Sequence, residues 1–256
     1  MAITASIGTS RFRIAIPSYK RAETLLNKTL RVLQKYEVRS DLIDVFVATE
    51  AERKEYRRVL GPDIRLVVGV VGINKQREFI HDYYEEGQRI LCIDDDVSAL
   101  KSVYTVPFDV LVDAFFDFAE SRGCRLWGVH PNDHGLQLAD RAVLGLSFII
   151  GSFFGMCNWR GSSYPNPTTE DFTRSILAYE MDGAVVRFDG VGPTTRYFSE
   201  PGGLQEYRTA ARQDREMREL VATWPEHVRL RRRVGRMTDV QFKRRVRVAV
   251  ISPFGA

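Results

Sequence analysis

The sequence predicts an α/β protein with a mainly parallel central sheet flanked by helices. Short apolar runs alternate with segments of helical spacing through residues 11–93. Those runs are almost continuously apolar, as is typical of parallel strands that are covered on both faces. No internal repeat or low-complexity linker divides the 256 residues, a length that allows one large domain or two small ones.

The first half supplies four strands and three helices in strict alternation. After Ala22, apolar residues at Leu25, Leu26, Leu30 and Leu33 have helical spacing. The predicted strands cover residues 11–17, 44–49, 65–71 and 89–93. The predicted helices cover residues 22–36, 50–60 and 72–87.

The second half is less regular. The apolar stretch 147–159 is interpreted as two strands with a bend, because Gly151 and Gly155 interrupt it. Single strands are expected over residues 125–131 and 184–190. Helices are expected over residues 107–123, 170–183 and 201–225. The helix at 170 opens with two acids, which suits the positive end of a helix dipole.

Composition places the chain among soluble globular proteins, with 44% hydrophobic and 27% charged residues. The N-terminus has no signal-peptide pattern, and no apolar run reaches the ~18 residues of a membrane span. We therefore expect no membrane partner and a cytoplasmic location, in a bacterial or phage-infected cell, or the nucleus of a eukaryote. Cys92, Cys124 and Cys157 are scattered, which favours reduced thiols over a disulfide framework or zinc cluster.

Basic residues concentrate near the C-terminus. Nine Lys or Arg and one acid lie in 229–247, whereas the rest of the chain has a net charge of −4. This asymmetry predicts a polyanionic partner, nucleic acid first, although a solvated basic tail fits as well. The predicted nucleic-acid-binding residues are Arg229, Arg231, Arg232, Arg233, Arg236, Lys243, Arg244 and Arg245. We divide the chain into a domain over 1–228 and a basic extension over 229–256, which could pack on the domain.

Three consecutive acids, Asp94 to Asp96, follow the fourth predicted strand. In open parallel sheets, ligands bind beyond the carboxyl ends of the strands. Because alternate residues point the same way, Asp94 and Asp96 could share a Mg or Mn ion with substrate phosphates. The alternative is a solvated acidic turn that caps the following helix.

Two classes of enzyme place Asp-x-Asp after a strand. In phosphatases of the haloacid dehalogenase type the motif follows the first strand, and their later Lys and acidic pair are not evident here. In nucleotide-sugar transferases it follows the fourth strand, as in this sequence. The loop 16–21 suits a nucleoside, and Lys75 with Arg77 at a helix start suits an anion.

The motifs IPSYKRAETL, VFVAT, LVVGVVGINKQREFI and CIDDDV, in this order, resemble the GT-A-type glycosyltransferases associated with TET/JBP oxygenases. Relatives of that family are the kinetoplastid base J glucosyltransferase and phage DNA glycosyltransferases. The resemblance is dense over 12–100 and weaker over 125–210. It implies a GT-A-like fold and inverting transfer of a sugar, commonly glucose from UDP-glucose. The implied acceptor is the hydroxyl of 5-hydroxymethylcytosine or 5-hydroxymethyluracil in DNA.

The resemblance also implies roles for individual residues. The nucleoside pocket would be formed by Pro17, Ser18, Tyr19 and Arg21, and the sugar or diphosphate would face Gln76 and Arg77. Asp94 and Asp95 would hold the ribose and the donor sugar. Asp96, together with Asp94, would ligate Mn or Mg, which acts as a Lewis acid on the leaving UDP of the UDP-sugar.

The acceptor hydroxyl needs a general base, for which the pair Glu170–Asp171 is the best candidate, with Asp171 first and Glu170 in reserve. Helix capping is the alternative role of this pair. His130 and His134 are weaker candidates for positioning the acceptor, and His227 for completing the metal site.

Two other functions remain open at this level. A UDP-sugar transferase could use a protein, lipid or small-molecule acceptor. A non-catalytic nucleic-acid-binding module could be built on a degenerate transferase fold, but the intact acids at Asp94–Asp96 and Glu170–Asp171 argue against it.

Overall fold

A nine-stranded sheet forms the centre of the molecule in the computed structural model, which describes residues 11–195, 209–231, 238–243, 248–250 and 252–254. The strands are β1 Arg13–Pro17, β2 Ile43–Val47, β3 Arg65–Val68, β4 Arg89–Ile93, β5 Ala99–Ser102, β6 Leu126–Val129, β7 Ala142–Gly145, β8 Phe153–Cys157, β9 Val185–Phe188, β10 Val191–Thr194, β11 Val228–Arg231, β12 Asp239–Phe242 and β13 Val248–Val250.

The helices flank this sheet. They are α1 Ala22–Leu25, α2 Arg31–Lys35, α3 Glu50–Leu60, α4 Ile73–Tyr83, α5 Phe108–Ser121, α6 Glu170–Asp182 and α7 Ala210–Thr223. A π-helical segment, Leu26–Leu30, joins α1 to α2, and 3-10 turns lie at Ser40–Leu42 and Gly135–Gln137. In the described part of the chain, no helix is both long enough and apolar enough to span a bilayer.

The central sheet has the strand order β13-β7-β9-β6-β8-β4-β1-β2-β3. Strands β1 to β4, β6, β9 and β13 point the same way, and β7 and β8 run against them. Seven of these nine strands are thus parallel in direction, which confirms the predicted α/β class with a mainly parallel sheet and flanking helices.

The order of the first four strands creates a switch point. The chain passes from β1 outward to β2 and β3, and then crosses back to place β4 on the other side of β1. Connections leave β1 and β4 in opposite directions, which opens a crevice between their carboxyl ends. The loop after Pro17 and the acids after Ile93 both lie at this crevice.

Strands β1, β2 and β4 bury both faces, as their apolar sequences predict, whereas β3 at the edge of the sheet is partly exposed. On β1, Ile14 and Ile16 belong to the core that also contains α5, whereas Ala15 faces the opposite core beneath α4 and α6. The two layers of helices therefore hold β1 and β4 rigidly and fix the position of the loops at their ends.

A third apolar cluster joins the C-terminal elements to the domain. Met217 and Leu220 of α7 pack with Val228 of β11, Val240 of β12 and Ile176 of α6. Strands β11 and β12 pair with each other in antiparallel fashion, and β13 pairs with β7 at the edge of the central sheet. The described parts of the basic extension are consequently integrated with the preceding domain.

Two apolar runs differ from their predicted form. Residues 147–159 contain one strand, β8, and not two. The backbone before β8 forms hydrogen bonds with helix side chains instead of a neighbouring strand. The carbonyl of Ile149 accepts a hydrogen bond from Arg174, and the carbonyl of Gly151 accepts one from Arg77. Strand β3 ends at Val68, since the amide of Val70 donates to the side chain of Gln76. Strands β5, β7, β10, β11 and β12 were not predicted.

Candidate active site

A cavity of about 1000 Å³ opens where the strands β1 to β4 end, a volume at the upper end of typical ligand sites. Seven of the predicted donor-binding residues line it, namely Pro17, Ser18, Tyr19, Arg21, Gln76, Asp94 and Asp95. The predicted bases Glu170 and Asp171 line the same cavity. The fold thus brings together four segments, which lie between Pro17 and Asp171 in the sequence.

The three acids after β4 point to different neighbours. An oxygen of Asp94 accepts from Arg77 at 2.7 Å. Asp95 is buried and accepts from the hydroxyl of Ser18 at 2.6 Å and from Arg21 at 3.3 Å. Asp96 lies 3.5 Å from Arg21 and is not among the residues that line the cavity. Asp94 and Asp95 consequently lie on the cavity wall, and Asp96 contacts Arg21, another residue of that wall.

Burial, as the largest cause, and the neighbouring carboxylates raise the pKa of all three carboxyls to about 6, against the opposing effect of the nearby basic side chains. Such a cluster holds its negative charge at a cost in free energy when it has no ligand. A cation that entered the cavity would lower that cost and return the acids to their ionised form.

The π-helical segment anchors this loop. Thr29 lies within it, and its hydroxyl donates to the carbonyl of Asp94 at 2.7 Å and accepts from the amide of Val97 at 3.0 Å. Both main-chain bonds reach across 65 or more residues of sequence. Thr29 therefore fixes the backbone on both sides of Asp95 and Asp96, in agreement with the tendency of π-segments to occur at functional sites.

The loop after β1 is held by a second set of buried bonds. The hydroxyl of Tyr56 lies 2.8 Å from that of Ser18 and accepts from the amide of Arg21 at 2.8 Å. The carboxylate of Glu52 accepts from the amides of Lys20 and Ala48. Lys20 adopts a positive φ of 56°, which turns the chain sharply between Tyr19 and Arg21.

The two predicted residues of α4, Gln76 and Arg77, form hydrogen bonds with other groups of the protein. The side-chain oxygen of Gln76 accepts from the amide of Val70 at 2.7 Å, and a Cβ atom at Gly69 would lie only 2.3 Å from that oxygen. Arg77 is 3% exposed and lies behind Asp94, outside the cavity lining. The expectation that Arg77 faces the sugar or diphosphate is therefore corrected: it contacts Asp94.

The two acids at the start of α6 have different surroundings. Glu170 is buried and accepts from Arg174 at 2.5 Å. Asp171 lines the cavity, and burial together with the charge of Glu170 raises its pKa to about 7. A carboxyl with a pKa near 7 suits a general base, whereas a carboxylate bonded to a buried guanidinium is poorly placed to take a proton.

The apolar part of the cavity lining was not predicted. It is formed by apolar side chains from the segment before β8 and from α6 and α7, namely Phe148, Ile150, Phe172 and Met217, with Arg212, Gln213 and Asp239 beside them. The rings of Phe148 and Phe172 lie 4.6 Å apart. Phe172 directly follows the acidic pair, a position that could have drawn attention to it. Nothing in the sequence signals that α7 and β12 close the cavity.

The acids fit a divalent cation by their chemistry. Asp94 to Asp96, Glu170 and Asp171 lie near four basic side chains, Arg21, Lys28, Arg77 and Arg174, so full ionisation of the five acids would leave one negative charge in surplus. Carboxylate oxygens are the ligands that Mg and Mn prefer. Among the described residues, no three His, Cys, Asp or Glu side chains form a group that could hold a metal. A cation bound by Asp94 and Asp96 would need further ligands from a substrate.

The weaker candidates lie elsewhere or remain open. His227 was considered for the metal site, but its Nε2 lies 2.7 Å from Glu180 and it packs against Trp224, outside the cavity lining. His130 bonds to the carbonyl of Asn132 beside the cavity residue Pro131. Of the predicted basic residues, Arg229, Arg231 and Lys243 are described. Those outside the described residues are Arg232, Arg233, Arg236, Arg244 and Arg245.

No family model and no curated protein matches the chain. It is similar to a solved mannosyltransferase from Pyrobaculum calidifontis in complex with GDP-Man and Mn2+, with 15% identity, a TM-score of 0.49, and 84% of this chain and 63% of that one covered. Mannosyl-3-phosphoglycerate synthase from Rubrobacter xylanophilus shows 13% identity and a TM-score of 0.45, over 95% of this chain and 87% of that one.

Mannose-1-phosphate geranyltransferase from Thermus thermophilus shows 14% identity and a TM-score of 0.31, over 72% of this chain and 56% of that one. The chain thus spans less than two thirds of the mannosyltransferase and of the geranyltransferase.

Proposed function

We propose that the protein is a glycosyltransferase that uses a nucleotide-sugar donor and a divalent cation. One observation carries this proposal: the acids at the switch point and Asp171, a carboxyl with a pKa near 7, line one cavity. A cluster of acids that suits a cation beside a diphosphate and a separate base are the two requirements for transferring a sugar to a hydroxyl.

The donor lies along the ends of β1 and β4. Tyr19 and Pro17 offer surface to the nucleoside, and Asp95, held by Ser18 and Arg21, faces the ribose or the sugar. Asp94 and Asp96 would hold Mn or Mg, and the cation supplies charge stabilisation for the departing diphosphate. UDP is the donor nucleotide that the family resemblance favours.

Asp171 acts on the acceptor. Its carboxylate removes the proton of the acceptor hydroxyl as that oxygen attacks the anomeric carbon of the donor. The bond from the anomeric carbon to the diphosphate breaks, and the nucleoside diphosphate leaves with the electron pair. Attack from the side opposite to the leaving group inverts the configuration at that carbon.

The acceptor that we propose is a 5-hydroxymethylpyrimidine base in DNA. The family resemblance supports it, and so does the positive charge of the C-terminal segment, where Arg229 and Arg231 project from one face of β11 and are exposed. The paired rings of Phe148 and Phe172 offer an aromatic surface to a base that has been turned out of the duplex.

A second acceptor class has its own support. The unpredicted part of the lining contains Ile150 and Met217 as well as the two rings, and it is apolar enough to bind a small acceptor without DNA. A hydrophobic small molecule or glycoside would then occupy the position that we assign to the base.

One assay separates these proposals. The protein is incubated with Mn2+, a panel of UDP- and GDP-sugars, and DNA that contains hydroxymethylcytosine or hydroxymethyluracil, and the digested nucleosides are then weighed. We expect one hexose to be added to one modified nucleoside, and none to unmodified DNA. Sugar transfer to a small hydroxylated aromatic acceptor alone would exclude DNA, and no transfer or donor hydrolysis with any donor would exclude the transferase.

A further inference from the structure

Three buried side chains, Arg77, Glu170 and Arg174, connect the partly exposed Asp94 after β4 with the start of α6. Arg77 donates to Asp94 at 2.7 Å, and its Nε lies 4.0 Å from the carboxylate of Glu170. On its other side, Glu170 accepts from Arg174 at 2.5 Å. The chain of contacts therefore runs from Asp94 through Arg77 and Glu170 to Arg174.

The two guanidiniums of this chain are fixed in the core. Arg77 is 3% and Arg174 is 1% exposed, and they lie over the same ring, that of Phe154, at 5.2 and 3.7 Å. Each also donates to a carbonyl of the segment before β8, Arg77 to Gly151 at 2.9 Å and Arg174 to Ile149 at 3.3 Å.

Glu170 lies between two like charges that are buried close together. Its carboxylate lowers the repulsion between Arg77 and Arg174, which would otherwise be large in an environment of low polarity. The space for this carboxylate is limited, because a Cβ atom at Gly151 would lie 3.0 Å from its Oε1. The carboxylate of Glu170 is thus held by two arginines and by the limited space beside Gly151, and neither contact is needed to cap α6.

We propose that Glu170 is a positioning residue, which holds Arg77 in place so that Arg77 orients Asp94 toward the donor and its cation. This inference rests on the proposed donor site, which it deepens by assigning different tasks to adjacent acids: Asp171 removes the proton, and Glu170 acts on the donor side through Arg77. Loss of Glu170 should consequently weaken the binding of the donor.

The first test compares Glu170→Gln with Asp94→Asn in a double-mutant cycle. Calorimetry measures the affinity for Mn2+ with UDP and, separately, for Mn2+ with GDP. We expect Glu170→Gln to weaken the better of these about tenfold, and the double variant to bind about as weakly as Asp94→Asn alone, since residues that act through one network are not additive. The proposal would be overturned if the double variant lost affinity by the product of the two single-variant factors, or if Glu170→Gln bound the nucleotide as tightly as the wild type.

A matched control separates positioning from general destabilisation. Asp44 is also a fully buried carboxylate with an arginine partner, Arg13 at 2.6 Å, but it lies at the amino-terminal end of β2, away from the cavity. Asp44→Asn should lower the melting temperature and leave the affinity for the nucleotide unchanged. A comparable loss of affinity in Asp44→Asn would assign the effect of Glu170→Gln to stability.

A second variant and a ligand-free measurement keep the test independent of the donor. Gly151→Ala retains every charge but presses on the carboxylate of Glu170, and it should weaken nucleotide binding in the same direction. In ligand-free crystals of Glu170→Gln, we expect Arg77 or Asp94 to leave its present rotamer; unchanged positions of both would refute the coupling. If the wild-type protein binds neither nucleotide, the proposed function fails, while the crystal structure still decides the coupling.

Discussion

The two sides of the cavity are built in different ways. On the side of β1 to β4, polar side chains at the ends of parallel strands are held by buried hydrogen bonds, as Asp95 is held by Ser18. On the other side, apolar residues such as Phe172 and Met217 come from the helices α6 and α7. The first side follows from the topology of the sheet, and the second depends on how the C-terminal elements fold over it. We infer that the first side serves the donor and the second the acceptor.

The largest expected effect comes from the residue between the two sides. Replacing Asp171 with Asn removes the proposed general base, so turnover should fall by about 10²- to 10⁴-fold while the affinity for the nucleotide stays the same. Steady-state kinetics and calorimetry measure the two quantities. Glu180→Gln, an exposed change on the same helix, is the control and should be neutral. Near-normal turnover of Asp171→Asn would remove this residue from the mechanism.

The pH dependence of turnover follows from the same carboxyl. Because Asp171 must be ionised to accept a proton and its pKa is raised to about 7, the rate should rise about tenfold per pH unit below 7 and level off above it. Glu170 and Arg174 are the charged groups that act on it. A rate that is constant between pH 5 and 8 would contradict this assignment.

An acceptor-side change should act on one substrate only. Phe172→Ala removes a ring that packs against Phe148 and Phe242, so the KM for the acceptor should rise about tenfold while the Kd of the nucleotide is unchanged. Phe79→Ala removes a ring from α4, outside the cavity lining, and should change neither. If Phe172→Ala weakened the binding of the donor and of the acceptor equally, the proposed distinction between the two sides would be wrong.

Stability without a ligand should fall as the pH rises from 5 to 7.5. The pKa values of Asp94, Asp95 and Asp96 are raised to about 6, so the stability that their protonated forms contribute is complete below about pH 4 and is lost as the pH passes 6. Carboxyls whose pKa is lowered, such as Asp189, change the stability only at pH values below this range. Scanning calorimetry should show a lower Tm at pH 7.5 and its recovery with Mn2+; a Tm that rises over this range would refute the prediction.

The smallest effect concerns DNA. Deleting 229–256 would remove β12 and β13 from the fold, so replacing Arg229 and Arg231 with Gln is the better test. If each contacts a phosphate of duplex DNA, the slope of log K against log salt should decrease by about 2. Fluorescence anisotropy with duplex DNA measures this slope. Replacing Arg215 and Arg218 of α7, which are also exposed, provides a charge-matched control.

Most of the donor side could be predicted from the sequence because strands that are buried on both faces are recognisable by composition. Their ends then place Ser18 and Asp95 together without further information. The sequence could not reveal that Arg77 is buried, since a base at a helix start is usually exposed, nor that Arg174 is its neighbour. Phe172 and Met217 were missed because an apolar residue of an amphipathic helix has the same pattern whether it faces a core or a cavity.

The segment Leu26–Leu30 shows what the site requires of the chain. A π-helical turn accommodates one residue more than an α-helical turn and is the less favourable conformation. A chain shortened by one residue here would form a continuous and more stable α-helix, but Thr29 would rotate by about 100° away from the loop of acids. A variant with a regular and more stable α-helix here would therefore be expected to lose the hydrogen bonds from Thr29 that fix the loop of acids.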